Sequence, residues 1–347
     1  MEKIIIDTPG IRSEILVGES WESVFGLLPE KGVVIITDDN VRRLYGGRFP
    51  KVPIFSLSPG EGSKKLEVIE YLAEKLLEAE IDRTGFVLAI GGGVVCDVAG
   101  FLSSIYMRGI RCGYVSSTLL SQVDASTGGK NGVNLGGTKN ILGNIRQPEF
   151  VICDPSMLLT LPEREYLSGL AELIKTAVIG DKDLFELIER SFEGIMSRDR
   201  KLLAVLVAKS VNFKGLIVSK DEKEAGLRRI LNFGHTLGHA LETISQYTIT
   251  HGEGVALGMI AAARISEKMG YLKNDETKRI EALVSEAGLP VKIPKSLDRD
   301  EIIARLRMDK KKKGDIIHFV LLKKIGMPFI DKSIQPKLIA AVIEEMK

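Results

Sequence analysis

The sequence predicts an N-terminal α/β nucleotide-binding domain followed by a mostly α-helical C-terminal domain. Its 347 residues exceed one ordinary domain and are enough to bury two cores. Up to about residue 150, short runs rich in valine and isoleucine alternate with amphipathic stretches, which is typical of a parallel, Rossmann-like sheet. Beyond that point the apolar residues recur with a helical period. We therefore expect one domain at residues 1–152 and a second at residues 153–347.

The N-terminal half contains near-continuous apolar runs that predict strands buried on both faces. These runs are residues 32–38, 52–58, 85–90 and 114–117, with a further short run at 150–154. Residues 64–80 predict an amphipathic helix, because Leu66, Ile69 and Leu72 fall on one side together with the apolar residues of the next turn. Ligands of parallel sheets bind at the carboxyl ends of the strands.

Three consecutive glycines, Gly91 to Gly93, lie between the predicted strand 85–90 and a helical stretch. Glycines in this position let the backbone approach a pyrophosphate at the N-terminus of the helix. The triplet is not the GxGxxG pattern, so a tight structural turn remains the alternative to nucleotide binding. Asp97, Arg108 and Asp124 are charged residues near strand ends, where single charges are also common as surface or capping groups.

Residues 117–148 are rich in glycine, serine, threonine and asparagine, yet they carry too much pattern for a flexible linker. Lys130 and Lys139 each stand beside small residues that would let backbone amides and an ammonium group face one anion. We interpret this segment as a phosphate-binding region. A long loop over the sheet is the alternative.

The C-terminal half predicts helices with a single strand. The helical stretches are residues 162–178, 181–190, 201–218, the histidine-containing segment 231–254, 252–269 and 276–287, and the strand is 316–322. Within the first helix, Glu172 and Lys175 are the only charged residues between 167 and 178, three positions apart. A charge on an apolar helix face needs a partner, so the two form either an internal ion pair or a metal carboxylate with a neighbouring cation.

Three of the four histidines fall within residues 231–254. His235 and His239 are four apart, which places both on one face of a helix, and His251 and Glu253 follow shortly after. This clustering predicts a metal or acid–base site, against the alternative of a helix with incidental histidines. With a carboxylate such as Glu172, it suits Zn²⁺ or a similar ion acting as a Lewis acid. Beside a nicotinamide, such an ion implies alcohol oxidation.

Composition excludes several other functions. The net charge of +2, from 48 basic and 46 acidic residues, gives no reason to expect nucleic-acid or membrane-surface binding. The three cysteines, Cys96, Cys112 and Cys153, lack zinc or disulfide spacing and are expected to be buried. The N-terminus lacks a signal-peptide pattern and no run of 18 apolar residues occurs, so a cytoplasmic location is expected.

Six motifs stand in order along the chain: GGGVVCDVAGFLSSIYMRG (91–109), TLLSQVDASTGGKNGVN (118–134), GTKN (137–140), LPEREYLSGLAELIKTAV (161–178), LRRILNFGHTLGHALE (227–242) and HGEGVALGM (251–259). With them the chain resembles the 3-dehydroquinate synthases, which are sugar-phosphate cyclases, along nearly its full length. The resemblance implies conversion of 3-deoxy-D-arabino-heptulosonate 7-phosphate to 3-dehydroquinate and phosphate, within the shikimate pathway of aromatic amino acid biosynthesis. The implied route is transient oxidation by NAD, phosphate elimination, re-reduction and intramolecular aldol closure.

The same resemblance implies roles for individual residues. The implied ligands of a divalent metal, zinc or cobalt, are Glu172, His235 and His251. The implied NAD contacts are Asp38, Asn40, Glu61, Lys64, Gly92, Gly93, Val94, Asp97, Ser117, Thr118, Lys139 and Thr160. The implied catalytic and substrate-facing residues are Asp124, Lys130, Asn140, Lys175, Lys214, Arg228, Asn232 and His239. His239 is thereby released from metal binding and is expected to relay a proton.

The resemblance also implies a homodimer, since Arg108 matches an arginine that the family lends to the phosphate pocket of the partner subunit. One of Lys310 and Lys311 is expected to contact the sugar-phosphate substrate. Cys96 departs from the family pattern, where a glycine is expected, and is harmless if it faces away from the pyrophosphate. The alternatives are another cyclase, such as a 2-deoxy-scyllo-inosose synthase, or a metal-dependent polyol dehydrogenase.

Overall fold

A computed structural model describes residues 1–8, 11–136, 138–312, 319–331 and 334–347, apart from the side chains of Ile11 and residues 308–312. Lys310 and Lys311 therefore lie outside the described side chains. The strands are β1 (Glu2–Thr8), β2 (Ile11–Val17), β3 (Val33–Asp38), β4 (Ile54–Leu57), β5 (Phe86–Gly91), β6 (Arg111–Ser116), β7 (Lys130–Leu135), β8 (Thr138–Ile145), β9 (Phe150–Cys153), β10 (Phe319–Lys324) and β11 (Met327–Asp331). The helices are α1 (Asp39–Tyr45), α2 (Leu66–Glu78), α3 (Gly93–Ile105), α4 (Glu163–Gly180), α5 (Lys182–Arg190), α6 (Phe192–Met196), α7 (Arg200–Lys220), α8 (His235–Ile244), α9 (His251–Lys268), α10 (Asn274–Glu286), α11 (Arg299–Lys312) and α12 (Pro336–Glu345).

The chain divides into two compact units. The first comprises Met1–Pro162 and Arg198–Lys223, and the second comprises Glu163–Ser197 and Glu224–Lys347. The boundary predicted after residue 152 lies ten residues before this division, because β9 is followed by a 3₁₀ segment, Pro155–Thr160, that stays with the first unit. Helix α7 also belongs to the first unit, although it lies within the predicted second domain. The spacing of apolar residues predicts a helix but does not show which domain the helix packs against.

The first unit is built around a seven-stranded sheet with the order β1-β2-β9-β6-β5-β3-β4. Strands β1 and β2 are antiparallel, whereas the remaining neighbours are parallel. All six residues of β5 and the first five of β3 are buried, as expected for strands covered on both faces. The predicted α/β fold class with its parallel strands is confirmed. The carboxyl ends of β3, β5, β6 and β9 lie side by side.

Residues 117–148 contain more regular structure than the long loop that was the alternative interpretation of this segment. A π-helical turn, Ser121–Ala125, leads into β7, which pairs with β8 as an antiparallel hairpin. Glycine and asparagine have low strand propensity, so their abundance hid the hairpin from sequence analysis. Gly132 lies opposite Gly143, and the two backbones approach so closely that a Cβ on either glycine would press against the facing strand.

Helix α7 packs within the first unit against β1 and the π-helical turn. Among the described helices it alone is long and apolar enough to cross a membrane by length and composition. However, 56% of its most apolar window is buried inside the protein. Core helices of soluble proteins share this length and composition, so the properties of α7 are only weak evidence for a membrane-spanning helix.

The second unit is mainly helical, as predicted, with one small hairpin formed by β10 and β11. The histidine segment is divided between α8 and α9 and does not form one continuous helix. Gln246 and Tyr247 adopt left-handed conformations after α8 ends, with φ values of 51° and 64°. Thr250 then caps α9 and forms a capping box with Glu253. Glu253 follows the histidines in sequence, and in the structure its side chain stabilises the start of α9.

Helices α4, α8 and α9 approach one another at glycines. A Cβ added to Gly258 of α9 would overlap the carbonyl oxygen of Gly234, the residue that precedes α8. A Cβ on Gly238 would lie 2.8 Å from the backbone of Gly254. Gly252, at the start of α9, likewise lies against the backbone of Ser168 in α4, where its N–H donates to Ser168 Oγ over 3.2 Å. These contacts bring three helix backbones closer than any side chain would allow.

Gly258→Ala tests this packing. Alanine usually favours a helix by up to about 1 kcal/mol over glycine, but the added methyl group must displace α8, and overpacking typically costs about 1–3 kcal/mol. We expect a lower melting temperature and a lower unfolding free energy in denaturant titrations. Gly26→Ala is the control, because no atom lies within 4 Å of the added Cβ at that position. Equal stability of the two variants would contradict the proposed constraint.

Candidate metal centre and nucleotide site

The second unit brings together one carboxylate and two imidazoles. Glu172 lies within α4, whereas His235 and His251 are the first residues of α8 and α9. Glu172 Oε1 lies 3.3 Å from His235 Nε2 and 3.1 Å from His251 Nε2. The potential ligand atoms of the three residues are all within 4.8 Å of one another. Residues separated by 79 positions thus form one compact donor set.

The orientation of both imidazoles fits a cation at the centre. His235 Nδ1 lies 3.1 Å from the carbonyl oxygen of Phe233, and His251 Nδ1 lies 3.0 Å from Glu242 Oε1. Each acceptor takes the hydrogen on Nδ1, so Nε2 is the ring nitrogen that faces Glu172 in both histidines. Electron pairs on two nitrogens and a carboxylate oxygen would repel one another unless a proton or a metal ion lay between them. Two histidines with one carboxylate form a donor set that suits a divalent metal such as zinc.

The charged groups of this cluster lie close enough to shift one another's pKa values. Burial raises the pKa of Glu172, but Lys175 and His235 outweigh that effect and hold it well below its usual range. Lys175 Nζ lies 2.6 Å from Glu172 Oε2, with both side chains buried. Burial lowers the pKa of His251, but hydrogen bonds to Glu172 and Glu242 outweigh it and raise the pKa to about 10. In the metal-free protein this histidine therefore holds a proton that a metal would replace.

The internal ion pair that the sequence offered for Glu172 and Lys175 is present, and it is compatible with the alternative role of Glu172 as a metal carboxylate. Glu172 Oε2 pairs with Lys175, whereas Oε1 faces the two histidines. The ion pair keeps the buried carboxylate ionised while leaving one oxygen available as a ligand.

His239 lies one turn after His235 on α8 and is exposed. Its ring centroid is 5.2 Å from that of His235 and 6.0 Å from that of His251. It belongs to a second donor group with Glu242 and His251, and does not join the group that contains Glu172. The structure therefore places His239 beside the predicted ligands, at the position where a separate proton-transfer role would be possible.

Glu242 is a residue of this site that sequence analysis missed. It follows His239 by three positions on α8, and its side chain is buried against His251. The available signal was a single glutamate in the apolar run of the helix. Because isolated glutamates are common on helix surfaces, only the packing of α8 against α9 reveals its partner.

Two further predicted residues of the second unit precede α8. Arg228 and Asn232 both lie in the 3₁₀ segment Leu227–Asn232, which ends three residues before His235. Arg228 is buried, and Asn232 Nδ2 donates to Glu224 Oε1 over 2.6 Å. One short segment thus carries a guanidinium and an amide to the beginning of the histidine helix.

In the first unit, the carboxyl ends of three adjacent strands gather predicted NAD contacts. Asp38 ends β3, Gly92 follows β5, and Ser117 with Thr118 follows β6. Asp38 also caps α1 by accepting from Val41 N, and burial raises the pKa of its carboxyl group. This edge is where ligands of doubly wound sheets bind.

The start of α3 fits a pyrophosphate. The helix begins after Gly92 without a side-chain cap and without an acidic residue in its first turn. Gly92, Gly93 and Val94 are partly exposed, and the first N–H groups of a helix have no partner within the helix, which suits an anion there. A Cβ on Gly92 would lie 2.9 Å from Thr118 Cγ2, which explains why a glycine is needed there. Cys96 is buried in the core of this unit, away from solvent.

Lys64 connects predicted cofactor residues with the β7–β8 hairpin. Its Nζ lies 2.5 Å from both Asp97 Oδ2 and Asn140 Oδ1, and 3.8 Å from Glu61 Oε1. Burial raises the pKa of Asp97 to about 6, against the opposing effect of Lys64. Asn140 has a φ of 52°, and its N–H donates to Asn134 Oδ1. The structure thus joins residues that were predicted to bind cofactor and substrate separately.

The remaining predicted residues of the first unit are placed as follows. Lys214 Nζ donates to Asp124 Oδ1 over 2.7 Å and to the Asp124 carbonyl oxygen over 2.6 Å. Thr160 Oγ1 lies 2.6 Å from Tyr45 Oη. Thr160 is exposed, as are Asn40 in α1, Glu61 before α2, Arg108 after α3, Lys130 in β7 and Lys139 in β8.

Comparisons with known proteins agree with these features. Residues 54–168 match the family model described as 3-dehydroquinate synthase N-terminal, and residues 169–312 match 3-dehydroquinate synthase C-terminal. A 3-dehydroquinate synthase from Dehalococcoides mccartyi is 39% identical, with both chains fully covered.

Solved structures of related cyclases have the same fold. A 2-epi-5-epi-valiolone synthase from Streptomyces hygroscopicus, with NAD⁺ and Zn²⁺ bound, is 25% identical at a TM-score of 0.89 and covers 100% of this chain and 98% of that one. A 2-deoxy-scyllo-inosose synthase complexed with carbaglucose-6-phosphate, NAD⁺ and Co²⁺ is 27% identical at a TM-score of 0.85, with both chains fully covered. Since two family models match most of the chain and a relative matches all of it, the chain belongs to the 3-dehydroquinate synthase family.

Proposed function

We propose that Glu172, His235 and His251 hold the divalent metal with which this chain acts as a 3-dehydroquinate synthase. The chain is an NAD- and metal-dependent lyase that converts 3-deoxy-D-arabino-heptulosonate 7-phosphate to 3-dehydroquinate and phosphate. The observation that carries the ligand assignment is the convergence of two imidazole nitrogens on one buried carboxylate oxygen. The contacts of both Nδ1 atoms, with Phe233 O and Glu242 Oε1, support it because they leave Nε2 of each ring facing Glu172.

When bound, the metal supplies Lewis acidity and NAD supplies reversible hydride transfer. The chain itself supplies position and charge. Lys175 keeps Glu172 ionised at the centre of a buried cluster. His239, exposed beside the predicted ligands, is proposed to accept the proton of the substrate C5 hydroxyl.

The anionic groups of the substrate suit cationic and amide side chains among the predicted residues. We assign Lys130, Asn140 and Asn232 to the phosphate, and Arg228 with Lys214 to the carboxylate. A guanidinium can bind a carboxylate through two parallel hydrogen bonds. This assignment disfavours a 2-deoxy-scyllo-inosose synthase, whose carboxylate-free substrate has less use for Arg228. The chain is also 39% identical to a 3-dehydroquinate synthase but 27% identical to that cyclase.

We further propose that the protein works as a cytoplasmic homodimer. Arg108 is exposed after α3, in a left-handed conformation with a φ of 67°. An exposed guanidinium held by a turn suits an arginine that completes the phosphate pocket of the partner subunit.

The reaction can be tested by following inorganic phosphate. The purified protein is expected to release phosphate from 3-deoxy-D-arabino-heptulosonate 7-phosphate, to lose that activity with a chelator and to regain it with Zn²⁺ or Co²⁺. Because NAD is reduced and then reoxidised within one turnover, absorbance at about 340 nm should show no net change. Accumulation of NADH, or turnover of glucose 6-phosphate in its place, would instead identify a dehydrogenase or another cyclase.

The histidine roles can be separated by metal analysis. His235→Ala or His251→Ala should abolish stoichiometric metal binding, since each removes a proposed ligand. His239→Asn should retain the metal but lower kcat by about 10²–10⁴-fold, the range typical of a lost general acid–base group. Purified variants would be compared by metal content and by phosphate release. A His239→Asn protein without metal, or a His251→Ala protein with a full complement, would contradict the assignment.

Mixed dimers test the role of Arg108. Arg108→Ala and His235→Ala are each expected to be inactive, since one lacks a phosphate ligand and the other a metal ligand. If Arg108 acts across the dimer, refolding an equal mixture should restore about a quarter of the wild-type sites, because half of the dimers would be mixed and each would hold one intact site. Wild-type protein refolded in the same way is the control. No recovered activity in mixed dimers would argue against a shared site.

A further inference from the structure

We propose that Glu242 is a positioning residue that fixes the ring orientation of His251 and thereby sets the metal affinity of the centre. The inference rests on the proposed ligand set of Glu172, His235 and His251. His251 Nδ1 and Glu242 Oε1 are 3.0 Å apart, and the Glu242 side chain is 5% exposed. A carboxylate accepts hydrogen bonds and cannot donate them when ionised, so the imidazole must donate.

The local packing is built to admit this carboxylate. Glu242 lies on α8 where that helix approaches α9, and a Cβ on Gly254 would lie 3.2 Å from Glu242 Cγ. Gly254 thus leaves the space in which the glutamate side chain runs toward the start of α9. Burying a carboxylate is costly unless it is hydrogen-bonded, and the imidazole N–H provides such a bond.

The two histidines depend on different supports. His235 is 12% exposed, and its Nδ1 bonds to the backbone carbonyl of Phe233, two residues earlier. His251 is 34% exposed, so packing restrains its ring less, and its Nδ1 bonds to a side chain of another helix. The hydrogen bond that His251 Nδ1 donates to the Glu242 carboxylate therefore takes the place of local packing in aiming Nε2 at Glu172. Carboxylate partners of this kind also make an imidazole a stronger ligand.

Metal affinity, measured without turnover, tests the proposal. Apoprotein would be titrated with Co²⁺ in the presence of a competing chelator, and binding would be followed by the visible absorption of the bound ion. Glu242→Ala is expected to weaken Co²⁺ binding about 10–100-fold, as is typical when the outer partner of a metal-bound histidine is removed. Glu242→Gln keeps an acceptor oxygen without its charge, so it should lose less affinity. The absorption bands of both variants should shift because the ligand geometry changes.

Glu253→Gln is the matched control. It makes the same chemical change on α9, two residues after His251, in a side chain that accepts from Thr250 N. It should leave Co²⁺ affinity and the absorption bands unchanged, even if it lowers the melting temperature of the apoprotein. Comparing melting temperatures of all variants separates loss of folding from loss of positioning.

The outcomes distinguish this proposal from the ligand set on which it depends. If Glu242→Gln and Glu242→Ala fold and bind Co²⁺ with wild-type affinity and unshifted bands, Glu242 does not position His251. If Glu253→Gln weakens binding as much as Glu242→Ala does, the effect is general to α9 and the proposal also fails. If His251→Ala itself keeps a full metal complement, the ligand set is wrong and the role of Glu242 falls with it.

Discussion

The candidate metal centre depends on how closely three helix backbones approach one another. Gly258 and Gly238 allow α9 to lie against α8, and Gly252 allows it to lie against α4 at Ser168. Ser168 stands one turn before Glu172, so this contact places the start of α9 beside that carboxylate. Metal–ligand distances tolerate errors of only about 0.2 Å. Packing at glycines provides that accuracy because no side chain can change rotamer between the helices.

The same geometry creates an electrostatic requirement. His235 and His251 are the first residues of α8 and α9, so two helix N-termini face the cluster. Each N-terminus carries about half a positive charge, and Lys175 adds a full one. Such surroundings oppose a divalent cation unless anions offset them. Glu172 and Glu242, both buried, provide that offset, which explains why two carboxylates surround one histidine.

Periodicity predicted much of the fold, whereas the site depended on contacts that periodicity does not record. Valine-rich runs predicted β3 and β5 because strands buried on both faces are apolar throughout. Spacing alone favoured His235 and His239 as a ligand pair with His251 as a further candidate, and only the resemblance implied that His251 binds the metal and His239 does not. In the structure the chain reverses at Gln246 and Tyr247, which returns His251 to His235. Glu242 escaped prediction because its partner lies on another helix.

Both candidate sites use the same physical device, although they lie in different units. At the nucleotide site, Gly92 and Gly93 are partly exposed at the start of α3, where the first N–H groups of the helix suit an anion. At the candidate metal centre, two helix N-termini carry the two proposed histidine ligands. A helix N-terminus attracts anions and can therefore bind the pyrophosphate of NAD directly. It repels a metal cation, so a metal can bind there only when carboxylates lie between the ion and the helix end. With a divalent ion bound, the two charges of Glu172 and Glu242 would offset those of the ion but not also the charges of Lys175 and the helix ends, so the centre would keep positive charge. That residual charge suits a substrate with both a phosphate and a carboxylate.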